Sequence, residues 1–283
     1  MKKIKILDSI VNDFTEDSLK QELKASFNGQ KGFLYAKVNT EFLLRARGDK
    51  DFAATLDQFD YSIADGIGVL WAAKFLSRPV VSNKILRTVQ VNWQWLYTSL
   101  SLVFYPKYVR NPIPERIPGV DCLYLMLESA IETDSPVYIL GAEEKVLVTA
   151  IDNLQEKYPK LRIVGHHEGY NFSDKAVMDE INRSGAKLLV VALGSPKQEY
   201  WIKDNIEKLP SVRVAVGEGG SFDFIAGTFK RAPRWMQKIG LEWLWRLFMN
   251  KNKTHSGGRA RRIWNAVPVF MYAIVKSKIN NEV

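Results

Sequence analysis

Asp65 is the best-placed candidate general base in this chain, standing between the apolar run Tyr61-Ser62-Ile63-Ala64 and the turn Gly66-Ile67-Gly68. A carboxylate between a buried strand and a Gly-X-Gly turn is held rigidly and can face a substrate hydroxyl. Read as an isolated Asp-Gly, the same residue would cap the following helix. A second feature is the run Leu188-Leu189-Val190-Val191-Ala192-Leu193, which breaks into Gly194-Ser195-Pro196-Lys197-Gln198-Glu199. A continuous apolar run suits a strand buried on both faces of a parallel sheet. Gly194 permits a tight turn, Ser195 can cap and Pro196 suits a first helical position. Polar groups at such a helix N-terminus are where open α/β sheets bind anions, although an ordinary βα turn with solvated Lys197 and Glu199 fits the stretch equally. Gly217-Glu218-Gly219-Gly220-Ser221-Phe222-Asp223-Phe224 forms another glycine-rich turn. Its N–H groups could receive phosphate or sugar oxygens, with Asp223 accepting from a sugar hydroxyl.

Other chemistries find less support. Neither the G-x-G-x-x-G dinucleotide pattern nor the G-x-x-x-x-G-K-[ST] phosphate loop occurs, and no G-x-S-x-G elbow is present. Asp49-Lys50-Asp51 matches the Asp-X-Asp pattern of metal-dependent sugar transferases, but it follows Gly48 at a break between helical stretches, where capping explains it better. His166 and His167 are adjacent, so on an extended backbone they point in opposite directions. No metal site is assigned, and no cofactor is expected. With Cys122 as the one cysteine, neither an intrachain disulfide nor a thiolate zinc cluster can form, which fits a reduced intracellular setting.

The elements that must position these residues alternate. Strand-like runs at residues 33–38, 61–64, 137–140, 161–164, 188–193 and 212–216 are separated by helical patterns at 41–59 (broken at Gly48-Asp49), 69–76, 119–131, 143–158, 173–183 and 198–208. A small strand and helix are expected before them. This rhythm predicts an α/β fold, a mostly parallel Rossmann-like sheet covered by helices on both faces. The strands end at Asn39, Asp65, Gly141, Gly165, Gly194 and Gly217, so small and polar residues collect along one sheet edge, where ligands bind in such folds. Residues 82–114 break the rhythm with Trp93, Trp95, Tyr97, Phe104 and Tyr105 beside Lys107 and Arg110, and read either as a core helix or as an interfacial aromatic helix inserted into a core of residues 1–228. Residues 229–283 combine Arg231, Arg234, Arg246, Arg259, Arg261 and Arg262 with Trp235, Trp243, Trp245 and Trp264. They are expected to form a basic helical C-terminal appendage of two amphipathic helices, separated near residues 250–258. A formal net charge of +9 points to an acidic partner: nucleotide phosphates, nucleic acid or an anionic membrane.

Several stretches, in order along the chain, resemble the WecG/TagA/CpsF family of bacterial glycosyltransferases. They are Val38-Asn39-Thr40-Glu41, Ala64-Asp65-Gly66-Ile67-Gly68-Val69, Glu115-Arg116-Ile117-Pro118-Gly119-Val120-Asp121, Leu193-Gly194-Ser195-Pro196-Lys197-Gln198-Glu199, Gly219-Gly220-Ser221-Phe222-Asp223-Phe224-Ile225-Ala226-Gly227, Arg231-Ala232-Pro233 and Leu241-Glu242-Trp243-Leu244-Trp245-Arg246-Leu247. The resemblance implies inverting transfer of an N-acetylmannosamine-type sugar, or a related hexose, from a UDP-sugar donor to a polyprenyl-diphosphate-linked sugar acceptor, without a metal. It implies a cytoplasmic enzyme, peripheral on the inner face of the plasma membrane, that meets an anionic membrane surface and no nucleic acid. Self-association into a homo-oligomer is left open. Asp65 falls on the catalytic base; Asn39, Thr40, Arg116, Gly141, Gly194, Pro196, Gln198, Gly219, Asp223, Arg231 and Arg246 are the expected substrate-binding residues. The competing expectation is a non-catalytic basic module that binds nucleotide-sugars or nucleic acid. Two departures mark this chain: Lys37 where many members carry threonine, and Glu218 at a commonly apolar position. Residues 82–114 also form a longer segment than is usual.

Overall fold

The computed structural model describes residues 1–229, 231–233, 236, 245 and 265–282. Its centre is a six-stranded, all-parallel sheet built from β3 (Phe33–Val38), β4 (Tyr61–Ala64), β5 (Val137–Gly141), β6 (Ile163–His167), β7 (Leu188–Ala192) and β8 (Val214–Gly217), in the order β4-β3-β8-β7-β5-β6. The central strands β5, β7 and β8 are buried along their whole length, as their unbroken apolar sequences require. Alternate side chains feed two cores. Leu34, Ala36, Val38, Leu189 and Val191 face one, and Tyr35, Ile63, Leu188, Val190 and Val216 face the other.

Helices cover both faces. The first core receives α2 (Thr40–Gly48), α3 (Lys50–Leu56), α4 (Ile67–Leu76), α8 (Asp174–Ser184), α9 (Lys197–Asn205) and the C-terminal α11 (Phe270–Asn280). The second receives α1 (Glu16–Asn28), α6 (Gly119–Glu132), α7 (Glu144–Lys157) and the short α10 (Ser221–Ile225). The long α5 (Lys84–Phe104) lies outside α4 and α11. Side-chain caps fix several starts: Thr15 closes a capping box on α1, and Asp49 accepts from the N–H groups of Asp51 and Phe52 to begin α3. Asp49-Lys50-Asp51 is thus a helix start.

The structure corrects some boundaries. The N-terminal segment is an antiparallel hairpin, β1 (Lys3–Ile6) with β2 (Ser9–Asn12), rather than one strand, and Asn12 Oδ1 accepts from the Ser62 N–H to dock it on β4. β6 begins at Ile163 because Leu161 is held in a turn by the Tyr158 carbonyl, and it continues to His167, which pairs with Leu140. Both adjacent histidines therefore lie in the strand. β8 starts at Val214 because the Val212 N–H is taken by Leu209. Ser195 does not cap α9: Pro196 occupies the N-cap position, and the turn is closed by Gln198 N–H donating to the Gly194 carbonyl. The two helices expected around residues 250–258 fall outside the described residues. α11 is described, and its Phe270 and Ile274 are buried in the first core.

Candidate active site

Asp65 directly follows β4, and its backbone N–H donates to the Val38 carbonyl at 2.9 Å, continuing the strand pairing one residue beyond the sheet. The carboxylate does not cap the helix that follows, since α4 has Gly66 at its N-cap and no side-chain cap. Instead Oδ1 accepts from the Gly119 N–H at 2.9 Å, at the first residue of α6. Ile117 N–H donates to the Ala64 carbonyl at 2.8 Å, so the segment entering α6 is stitched to the end of β4 at two points. Asp65 is half-buried and oriented by a helix N-terminus, an arrangement that steadies a carboxylate.

Behind that turn lies a charged pair in the second core. Lys37 follows Tyr35 onto the face occupied by α6 and α10, and its Nζ stands 2.8 and 2.9 Å from the two carboxylate oxygens of Glu218, just past β8. The side chains are 7% and 1% exposed. Ser221 Oγ donates to Glu218 Oε2. Burial opposes the Lys37 charge, but the attraction of Glu218 and Asp65 outweighs it, so the ammonium holds its proton above the ordinary lysine range. Glycine at 119 leaves room for this pair, because a Cβ there would displace Lys37 Nζ and approach Ser221 and Glu218. Lys37, Glu218 and Ser221 thus form the floor on which the Asp65–Gly119 contact rests. The neighbouring Cys122 is fully buried, and burial pushes its thiol pKa up.

The turn after β7 faces the turn after β8. Gln198 is only 5% exposed, with its amide turned inward: Oε1 accepts from Gly219 N–H at 3.1 Å and Nε2 donates to Glu199 Oε1 at 2.7 Å. It acts as a clamp between the two turns. Glu199 is also buried, and burial raises its carboxyl pKa. In the glycine-rich turn, Glu218 N–H donates to Val191 and Ser221 N–H to Glu218, so with Gly219 three of its N–H groups are engaged within the protein. Gly194 opens the β7 turn with φ 78°, followed by Pro196. Gly141 ends β5 with φ 115°, and a Cβ there would strike the Ala192 backbone, so glycine alone allows β5 and β7 to close together at this edge.

The remaining predicted residues are distributed around this edge. Asn39 is the N-cap of α2, its Oδ1 accepting from the N–H groups of Glu41 and Phe42, and Thr40 is the first residue of that helix. Arg116 lies in the stitched segment before α6, and Asp223 in α10. Arg231 forms a bidentate pair with Asp121 in the first turn of α6, at 2.7 and 2.9 Å, two residues from Gly119. Arg246 lies outside the described residues. The fold therefore brings Asn39, Asp65, Gly119 and Glu218 to the ends of adjacent strands β4, β3 and β8, with Gln198 and Gly194 at β7. Residue type and spacing do not mark Lys37, Glu218 and Ser221 as one network. Its signal was present as the two departures from the family pattern, which prove to be opposite ends of one ion pair.

Comparison with known proteins bears on this geometry. The family model described as "Glycosyl transferase WecG/TagA/CpsF family" matches residues 4–88 and 82–283. A protein of Bacillus spizizenii named N-acetylglucosaminyldiphosphoundecaprenol N-acetyl-beta-D-mannosaminyltransferase is 29% identical over 276 residues, 97% of this chain and 91% of that protein. Proteins of the same name are 27% identical over 278 residues in Staphylococcus aureus, covering 98% of this chain and 93% of the relative, and 28% identical over 219 residues in Bacillus subtilis, covering 77% and 72%.

Proposed function

The chain belongs to the WecG/TagA/CpsF glycosyltransferase family, and from that premise we propose that it moves an N-acetylmannosamine-type sugar, or a related hexose, from a UDP-sugar to a polyprenyl-diphosphate-linked sugar. The name carried by the relatives supports this reading, since it joins an N-acetylmannosaminyl group to an N-acetylglucosaminyl-diphosphoundecaprenol acceptor. The single observation that carries the assignment of roles is the placement of Asp65 at a strand end, with its carboxylate held by the Gly119 N–H.

In this reading Asp65 removes the proton from the acceptor hydroxyl as that oxygen attacks the anomeric carbon. The bond from the anomeric carbon to the diphosphate oxygen breaks on the opposite face, and UDP departs with the electron pair, inverting the centre. Arg116, in the segment bonded to the Asp65 strand, supplies positive charge to the departing diphosphate, and no divalent cation is required. Arg231 is held by Asp121 at the first turn of α6, two residues from Gly119. Gln198 holds the β7 and β8 turns in register, shaping the donor side of the cleft. The enzyme works from the cytoplasmic face of the membrane, as a peripheral protein; among the described residues no helix is long and apolar enough to cross a bilayer.

The test is transfer from a panel of UDP-sugars to a polyprenyl-diphosphate-linked N-acetylglucosamine, with and without EDTA. Asp65→Asn is expected to keep the fold and UDP affinity while lowering turnover by about 10²- to 10⁴-fold. Turnover within threefold of wild type would remove Asp65 as the base, and loss of transfer in EDTA would overturn the metal-independent reading.

A further inference from the structure

The helix α5 is amphipathic the wrong way round for a protein surrounded by water. Its buried positions are Val91, Gln94, Thr98 and Ser101, three of them polar. Its outward stripe is apolar: Ile85, Val89, Trp93, Leu96, Leu100 and Phe104 recur at helical spacing, with Phe104 80% and Trp93 69% exposed. The inner face has its polar groups satisfied, because Thr98 Oγ1 accepts from Trp71 Nε1 at 3.1 Å, Gln94 Nε2 donates to the Pro79 carbonyl at 3.0 Å, and Gln94 Oε1 accepts from Lys278 at 2.7 Å. The helix is thus fixed to the body by specific polar contacts, and its orientation presents the apolar face outward.

We propose that this face is the protein's docking surface for an anionic lipid bilayer, with α5 lying in the plane of the interface. Charge identifies the occupant. From Gly66 to Pro114 the chain carries Lys74, Arg78, Lys84, Arg87, Lys107 and Arg110, and no Asp or Glu. Lys84 is exposed at the first turn of α5, and Lys107 and Arg110 are exposed just beyond its end. An apolar stripe with tryptophan and tyrosine at its borders and cations at both ends matches a headgroup layer of negative lipids over acyl chains. A second copy fits less well, because two such stripes would bring only positive charge against positive charge. The excursion that carries α5 leaves the sheet at Asp65 and returns at Ile117 and Gly119, where it is bonded to Ala64 and Asp65. The chain that carries α5 thus returns to the segment that orients the candidate base, which links the docking helix to the site along the chain. This rests on the reading of a lipid-linked acceptor, and gives that acceptor's bilayer its place on the protein.

The experiment is flotation of the full chain with vesicles of phosphatidylcholine, alone or mixed with phosphatidylglycerol. The Trp93→Ser/Val103→Ser/Phe104→Ser variant alters only exposed side chains, and Val148→Ser/Tyr170→Ser, exposed elsewhere, is the control. Wild type and control are expected to float with the anionic vesicles and not with the neutral ones, while the α5 variant partitions about a hundredfold less, with an unchanged circular dichroism spectrum. Lys84→Ala/Lys107→Ala/Arg110→Ala is expected to lose the preference for phosphatidylglycerol. Equal flotation of the α5 variant and wild type, equal binding to both vesicle types, or an α5-dependent dimer in sedimentation that vesicles do not dissociate would each overturn the proposal. Transfer to a short-chain, water-soluble acceptor separates this from the chemistry. The α5 variant should match wild type on that acceptor and fall behind on the bilayer-embedded one. Wild-type turnover on the soluble acceptor without any flotation sinks the docking surface alone. Flotation through α5 without transfer to either acceptor supports the surface and sinks the assigned reaction.

Discussion

Removing the Lys37 charge, as in Lys37→Met, leaves Glu218 with a 1% exposed side chain, Ser221 as its remaining hydrogen-bond donor in the network, and no cation. Stranding one member of a buried ion pair costs about 3 to 5 kcal/mol, because the surviving charge pays its desolvation without the attraction that offset it. In a chain of this size that corresponds to roughly 10 °C in melting temperature. Lys37→Met/Glu218→Leu removes both charges from a site already closed to water, and is expected to recover most of the loss, since apolar replacement of a whole buried pair is often neutral or better. Urea denaturation of wild type, both single variants and the double variant closes the cycle, with an expected coupling of several kcal/mol, on the order of the single loss. Acidity supplies a second readout. Burial already raises the Glu218 pKa, and removing Lys37 takes away the largest influence lowering it. A carboxyl whose folded pKa lies above its unfolded value destabilises the fold above the folded pKa, and this penalty vanishes as pH falls toward the unfolded value of about 4.3. The Lys37→Met variant should therefore close part of its gap to wild type on acidification. Single variants within about 0.5 kcal/mol of wild type, or additive losses in the double variant, would refute the argument.

Two further outcomes follow from buried groups. Lys278 is buried against Phe75 and Gln94, and burial, with Arg78 nearby, pushes its pKa down to about 8. The folded protein releases this proton near pH 8 while the unfolded chain keeps it to about 10.4, so stability gains a component as pH rises through that window and loses it as pH falls through 8; Lys278→Met should abolish this component of the urea midpoint's pH dependence. Cys122, fully buried with a raised thiol pKa, should react with a thiol reagent only at the rate of unfolding, and labelling within seconds in the native state would contradict that burial.

What was legible in the sequence followed from periodicity. The apolar runs at β3, β4, β5 and β7 announced strands of the sheet, and the small or polar residues after them marked the edge where Asn39, Asp65, Gly141 and Gly194 gather. Boundaries slipped at β6 and β8, where turn hydrogen bonds at Leu161 and Val212, not side-chain pattern, decide where pairing begins. Asp65 illustrates a sharper limit. Capping of the next helix and a bond to Gly119, 54 residues away, are equally compatible with Asp-Gly-Ile-Gly, and only tertiary structure selects the second. Gln198 is expected among the substrate-binding residues, but its second part, as a clamp between the β7 and β8 turns, depends on how closely those turns approach in the fold. Lys37 and Glu218 are 181 residues apart, so each was visible as an oddity, but their mutual compensation belongs to the fold.

The stitching of Ala64 to Ile117 and of Asp65 to Gly119 bears on how this scaffold can diversify. Everything between those bonds is a closed excursion whose ends are held together by the site itself. Lengthening such an excursion is thermodynamically gentle, since each doubling of a flexible loop costs only about 0.6 kcal/mol in closure entropy. Within the excursion α4 is built into the first core and holds its place against the sheet, so the freedom to lengthen lies beyond Leu76, in the exposed turn at residues 81–83 that leads into α5.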